Sequence, residues 1–535
     1  MMRKVISFFA SFRVPWLLAT VASVFLAAAA VWWGGLNQDE GWYLYAAQRV
    51  REGAMPYRDF FFTQGPTLPF VYSVLAPLWQ ADSSPLRGLL GGRVVTCLFG
   101  FLTTGLAVAL VRRLVPVKRG ALAGLTVFAL LGCNLYHLYF TTIPKTYALG
   151  GFFVMAGFLL MVHGLSQARA AWCRAGLLFA SGLSLAFASG TRISLILIPA
   201  VAGVVLLLCL RVFRWAVVWY GGGVVAGLFL TYGLFALDPA SLRVLLAAQH
   251  YHADRGGFDL MFSVGSVSRL IRGYAALCSA GVAAWALSRP LARSVARDAG
   301  AHVVMWMMGL GFAAVFLLQL SAPFPYDDYQ VPIMALATVV AAAWFAKAFV
   351  RTARFTVRMG WFVVLTACGL SFASPLLQEW ATHGQDRFWS LARPCSSLAQ
   401  LRRTARQIER LDPSGTEILT QDLYLAVETG RRVPSGFEMG PFCYFPALET
   451  ERAAALHVMN RERMTDCLAK TDCPLVALSG YAFAIAAPTC QEVAKEEQSR
   501  FESLLADRYD EVWVEPRFGQ NATTLRLLKL KKETP

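Results

Sequence analysis

The chain divides by its hydrophobic pattern into two unlike stretches. Up to about residue 376, long apolar runs alternate with short polar connections. Eleven windows, roughly 14–36, 89–111, 120–139, 146–163, 173–188, 193–210, 215–237, 268–287, 302–320, 329–346 and 359–376, read as helices crossing a bilayer. A helix needs about 20 residues to cross about 30 Å of hydrocarbon, and most of the windows approach that length. Residues 67–80 (TLPFVYSVLAPLWQ) fall short of it and contain Pro69 and Pro77, so they predict a helix lying in or dipping into the interface.

After residue 377 the period changes. Residues 396–411 (SSLAQLRRTARQIERL) repeat apolar side chains three and four apart, the mark of an amphipathic helix. EILTQD (417–422) reads as a strand, LYLAVETG as a short helix ending at Gly430, and 449–470 and 490–508 as helices. PLVAL (474–478), EVWVEP and LRLLKL complete the strands. Strands alternating with helices predict a small α/β domain. The expected architecture is therefore a polytopic α-helical membrane domain, residues 1–376, with about eleven transmembrane helices, followed by an extracytoplasmic α/β domain, residues 377–535.

Composition agrees with that division. Of 535 residues 56% are apolar and only 15% charged, against about 25% charged in soluble proteins, and the mean hydropathy is +0.50. Soluble, disordered and coiled-coil classes are excluded. A net charge of +16 would suggest nucleic acid, but its distribution argues against that partner. Residues 1–376 carry 29 Lys/Arg against 11 Asp/Glu, while residues 377–535 carry 20 against 22. With the N-terminus in the cytoplasm, the cytoplasmic loops collect 18 Lys/Arg and the opposite loops eight, while ten of the 11 acidic residues fall on the far side. Basic loops stay inside, so the loops 37–88 and 238–267 and the C-terminal domain are expected outside.

The richest chemistry follows the first window, in NQDEGWYLYAAQRVREGAMPYRDFFFTQGP (37–66). Asp39 and Glu40 stand where the chain leaves the membrane. Residues 41–52 read as a surface-lying amphipathic helix, with Trp42, Ala46 and Val50 on one face and Gln48, Arg51 and Glu52 toward another. Gly53 ends it, and Pro56-Tyr57-Arg58-Asp59 turns the chain back. Acidic residues in a loop are usually only solvated. At headgroup level, beside aromatics and a helical bundle that can hold a lipid tail, they become candidates for proton transfer.

The runs DEGWYLYAA and REGAMPYRDFF, followed by Gly65-Pro66, resemble the first outer loop of the C-superfamily (GT-C) membrane glycosyltransferases, near family 39, the protein O-mannosyltransferases and the aminoarabinose transferases. The resemblance extends to Arg93 in GGRVVTCLFGFL, to PKTYALGGFF, to Arg192 in TRISLILIP and to YDDYQVP. It implies that Asp39 is the catalytic acidic residue with Glu40 completing the pair. It also implies a polyprenyl-phosphate sugar as donor, with a lipid, glycan or protein hydroxyl as acceptor. One departure matters: Lys145 stands where some relatives carry an acidic residue, so a metal held there is not carried over, and a divalent ion is left open.

On this reading Arg192, Lys145 and Arg93 are candidates to stabilise a leaving phosphate, although long basic side chains at span ends also snorkel without any ligand. Asp59 either positions the acceptor or caps its turn. Asp327, Asp328, Tyr329 and Gln330 either contact sugar hydroxyls or meet water and a helix N-terminus. His250 and His252 form an H-x-H that is not a diagnostic metal spacing and reads more readily as part of a lid loop. Among the cysteines, Cys395, Cys443, Cys467, Cys473 and Cys490 fall in the C-terminal domain, where Cys467 and Cys473 would close a small loop. The competing function, a transporter or flippase of lipid-linked saccharides, would favour internal repeats and polar residues at mid-membrane, neither of which the sequence shows.

Overall fold

The structure is a computed structural model and describes residues 12–80, 86–250, 258–288, 297–323, 325–350, 352–377, 395–481, 483 and 493–531. Among them eight helices are long and apolar enough to cross a membrane: Arg13–Trp33, Leu89–Leu114, Thr146–Gly164, Ala171–Thr191, Ala216–Ala236, Ala299–Leu320, Asp327–Phe349 and Ala353–Leu377. The other three expected windows are interrupted. Val117–Gly132 stops at Cys133, and Asn134 caps a new helix, Leu135–Phe140, by accepting from the His137 amide. Arg192 is extended and leads through a 3-10 turn, Ile193–Ile196, into Leu197–Leu208. Leu260–Gly273 and Ala275–Ser288 part at Tyr274. Hydropathy sums over such breaks, because a polar cap costs little in a window average.

The first span shows the inside-out pattern expected in lipid. It exposes Leu17, Val21, Val24 and Phe25 and buries Ala19, Ser23, Ala27 and Ala30. Lipid offers no hydrophobic drive between helices, so small residues that let backbones approach take the contacts. The same rule operates at Gly182 of Ala171–Thr191, where a Cβ would lie 2.1 Å from the Tyr220 carbonyl oxygen.

Two compact units emerge. One comprises Met1–Val31, Thr96–Tyr232 and Phe258–Phe388; the other comprises Trp32–Val95, Gly233–Gly257 and Trp389–Pro535. In the second unit the loop after the first span and the C-terminal domain pack as one body. Its helix Gln38–Arg51 is not surface-lying: Glu40 through Gln48 are all buried. The neighbours that cover it are Thr67–Leu75 and Leu423–Thr429. At Gly41 a Cβ would lie 2.4 Å from the Tyr424 backbone nitrogen, and the Tyr45 hydroxyl accepts from the Val433 amide at 3.0 Å. Of the polar side, Gln48 is buried by protein, while Arg51 and Glu52 at the end of the helix remain exposed.

The C-terminal domain carries a four-stranded sheet of β1 (Leu419–Thr420), β2 (Leu475–Leu478), β3 (Tyr509–Phe518) and β4 (Thr523–Leu530), in the order β1-β2-β4-β3. β1 runs parallel to β2, and the other pairings are antiparallel. The expected helix at 449–470 is two, Thr450–Ala455 and Arg461–Lys470, because Asn460 caps the second by accepting from the Arg463 amide. Cys395, Cys443, Cys467 and Cys473 are free thiols, so the loop closure expected between Cys467 and Cys473 is not formed; Cys490 lies outside the described residues.

Candidate active site

Two groups of side chains carry the chemistry, one in each unit. The first begins at Asn37, which caps helix Gln38–Arg51. The Asn37 side chain accepts from the Asp39 amide, and Glu40 reaches back to accept from the Asn37 amide at 2.8 Å, a reciprocal capping box. Glu40 also receives two hydrogen bonds from Arg93, Nε at 2.6 Å and Nη2 at 2.7 Å. Arg93 completes its fork on the carbonyls of Gly34 at 2.9 Å and Gly35 at 3.0 Å. The side chains of Arg93 and Glu40 are 1% and 0% exposed. The pair neutralises itself and ties the end of the first span to the start of the second.

Asp39, one residue earlier, has a different environment. It is half-buried, and its carboxylate accepts from the Trp42 indole N–H at 3.1 Å. Its charge also acts on the buried phenol of Tyr481, whose pKa is pushed well up, first by burial and then by the charges of Asp422 and Asp39. Tyr424 donates to Asp422, and burial pushes the Asp422 carboxyl up to about 6, partly offset by the Tyr424 and Ser479 hydroxyls. The C-terminal domain thus contributes a buried phenol and carboxyl group behind Asp39 that the sequence reading missed. No spacing signal points to them, since Asp39 and Tyr481 lie more than 400 residues apart.

Asp59 closes its turn, accepting from the Met55 amide at 2.7 Å and from Arg58 at 2.8 and 3.1 Å. The Arg58 hydrogen bonds hold the Asp59 carboxyl below the usual range. His250 ends helix Pro239–His250 with its side chain exposed, and His252 lies outside the described residues.

The second group forms where helices of the other unit are interrupted. Lys145 precedes Thr146–Gly164, Arg192 follows Ala171–Thr191, and Asp327 and Asp328 open the 3-10 segment Asp327–Ile333. Asp328 accepts from Lys145 Nζ at 3.2 Å and from the Tyr147 hydroxyl at 3.0 Å. The Arg192 guanidinium lies 4.4 Å from the Tyr329 ring centroid and 5.4 Å from that of Tyr147. Asp327 accepts from the Tyr136 hydroxyl at 2.5 Å and from Arg269 at 2.9 Å. Gln330 is buried and donates to the Phe316 carbonyl at 3.4 Å. Lys145, Arg192, Asp327, Asp328, Tyr329 and Gln330 are therefore brought into one cluster, joined by Tyr136, Tyr147 and Arg269, which the sequence reading did not single out. Tyr147 was within reach, since it sits in the PKTYALGGFF run beside Lys145. Three cations face two carboxylates, so the cluster keeps a positive excess suited to an anion. Among the described residues no group of three or more His, Cys, Asp or Glu side chains is placed to hold a metal ion.

The overall architecture has close counterparts among solved structures. The apo structure of ArnT from Cupriavidus metallidurans superposes with a TM-score of 0.62 at 14% identity, covering 97% of this chain and 98% of that one. The same protein bound to undecaprenyl phosphate gives 0.57 at 14% identity over 96% and 97%. The chain therefore shares the fold of ArnT over nearly its whole length. An Archaeoglobus fulgidus oligosaccharyltransferase is also similar, at 11% identity and a TM-score of 0.47, covering 94% of this chain and 74% of that one. No family model matches the sequence, and no curated protein matches it, so the likeness lives in the arrangement of helices rather than in residue identity.

Proposed function

We propose that the protein is a glycosyltransferase that moves a sugar from a polyprenyl-phosphate donor to an acceptor hydroxyl on a lipid, glycan or protein, at the outer face of a bacterial cytoplasmic membrane. The fold supports this reading, since a protein sharing it over nearly the whole chain has been solved with undecaprenyl phosphate. The observation that carries the catalytic assignment is the contrast at the exit of the first span: Glu40 is consumed by Arg93, whereas Asp39 stays partly accessible.

In the proposed reaction the acceptor oxygen attacks the anomeric carbon, the bond from that carbon to the phosphate oxygen breaks, and the hydroxyl proton passes to Asp39. The released polyprenyl phosphate gains negative charge, and the positive excess carried by Lys145 and Arg192 suits such an anion; stabilisation of developing charge is commonly the largest catalytic contribution. Glu40 and Arg93, assigned to catalysis and to phosphate from the sequence, become positioning residues that fix the helix bearing Asp39. Of the two roles open to Asp59, its contacts with Arg58 and the Met55 amide favour the capping of its turn. Tyr329 and Gln330 are retained as sugar contacts.

The test is to incubate the purified full-length chain with a panel of polyprenyl-phosphate sugars and measure release of lipid phosphate. Asp39→Asn is expected to lower the rate by about 10²- to 10⁴-fold, the usual contribution of a general base, with yield and membrane insertion unchanged. Undiminished release by Asp39→Asn would overturn the assignment. Movement of the intact donor across the bilayer without release would favour a flippase.

A further inference from the structure

We propose that the exposed basic face of helix Ser397–Leu411, with Trp513 and Val514 of β3, docks on the phosphate headgroups of anionic lipids in the leaflet that faces the C-terminal domain. The helix buries Leu398, Leu401, Thr404, Ala405 and Ile408 on one side. On the other, Arg402, Arg406 and Arg410 follow at intervals of four, with Arg403 beside them, so the four side chains form one stripe. Part of that stripe lines a groove of about 520 Å³ together with Gln407, Trp513 and Val514.

The charges in the groove are not all answered. Glu515, whose side chain is 4% exposed, accepts from Arg403 and from Gln400 at 2.9 Å, which holds Arg403 in place and neutralises it. Arg406 and Arg410 are exposed and form no ion pair among the described residues. Two guanidinium groups lining one groove with a tryptophan suit a ligand with phosphate oxygens and an apolar part, because guanidinium matches phosphate with paired hydrogen bonds and the indole favours a half-wet interface.

The position of the helix selects a membrane surface as the occupant. The Arg402 guanidinium lies 5.9 Å from the ring of Trp32, the penultimate residue of the first span. Trp32 and Trp33 are 39% and 45% exposed, and tryptophans at a span end mark the headgroup level. A second contact agrees: Arg402 donates at 3.3 Å to the carbonyl of Arg87, two residues before the helix Leu89–Leu114. The stripe therefore begins at headgroup depth beside the ends of two spans. A soluble anion would need no such placement.

The test uses the full chain in nanodiscs containing a phosphatidylglycerol analogue with a diazirine in its headgroup, followed by peptide mapping after photolysis. Adducts are expected on peptides covering 397–411 and 509–518, and far fewer with the corresponding phosphatidylcholine analogue. Each basic residue near an anionic surface contributes about five-fold in affinity, so Arg406→Gln with Arg410→Gln should reduce the adduct by about twenty-fold. Arg406→Lys with Arg410→Lys should keep it within about three-fold of the parent, which guards against loss through misfolding. Excess inorganic phosphate should leave the adduct in place. An adduct that is absent, insensitive to the glutamine pair, equal with phosphatidylcholine, or abolished by inorganic phosphate would overturn the proposal. None of these readouts depends on sugar transfer, so the outcome stands apart from that of the catalytic reading.

Discussion

Two buried ion-pair sites, built from the same kinds of residue at the ends of membrane helices, differ in what they leave over. At Glu40 and Arg93 one acid meets one base, the side chains are 0% and 1% exposed, and the remaining guanidinium edge goes to the carbonyls of Gly34 and Gly35. At Asp328 the exposures rise to 14% for the acid and 6% for Lys145. There a second cation, Arg192, lies against the rings of Tyr147 and Tyr329 and adds its charge. The first site is closed and neutral, which suits a strut. The second keeps positive charge and some access, which suits an anionic ligand. A residue's type and its place at a span end do not separate these cases; stoichiometry and exposure do.

The sharpest way to break the comparison is to open the closed site. Arg93→Met leaves the Glu40 carboxylate buried without its partner, which costs about 3–5 kcal/mol for such a pair. We expect the full-length variant in detergent to melt far below the parent or fail to accumulate. Combining it with Glu40→Gln should recover much of the loss, because the stranded charge is gone. A normal melting curve for Arg93→Met alone would mean that the pair is not a strut.

The open site should respond in the opposite currency. Lys145→Met removes one of the two cations proposed for the leaving phosphate, and a loss of about 100-fold in lipid-phosphate release is expected, about 2.7 kcal/mol of transition-state stabilisation. Its melting temperature should stay close to the parent, since Arg192 and the Tyr147 hydroxyl still face Asp328. Destabilisation with unchanged turnover would move Lys145 into the same class as Arg93.

The contrast also explains what the sequence could and could not tell. The eight long spans, the terminal β-hairpin and the helices ending at Leu411 and Gly430 were legible because each is specified by local period and local caps. The role of Glu40 was within reach too, as Asn37-x-x-Glu40 is a capping-box pattern at the start of a helix. What stayed hidden depends on distant partners. Nothing local says that Arg93 turns toward Glu40, that Arg269 meets Asp327, or that Leu423–Thr429 packs against helix Gln38–Arg51. The breaks at Asn134 and Tyr274 were lost for a different reason, because an apolar window averages over a single capped turn.

A third buried carboxylate tests whether the partner or the burial decides. Glu438, 7% exposed, has the Gly436 amide at 2.7 Å but no ion pair among the described residues; Arg49 and Arg463 act only through weaker charge effects, and burial pushes its pKa up to about 7. A carboxyl whose folded pKa is raised binds its proton more tightly when folded. Its stabilising contribution is therefore full below the unfolded value near 4.5 and is lost as the pH rises through about 7. Between pH 5.5 and 8 that amounts to about 2 kcal/mol, with Asp422 adding a smaller contribution of the same sign from its pKa of about 6. The parent chain should thus melt at a higher temperature at pH 5.5 than at pH 8, and Glu438→Gln should remove most of the slope. If the slope ran the other way, the deprotonated form of Glu438 would have to be stabilised in the fold as Glu40 is by Arg93. Burial would then not set the charge state of an acid without an ion pair, and the line drawn between the closed site and the open one would lose its physical basis.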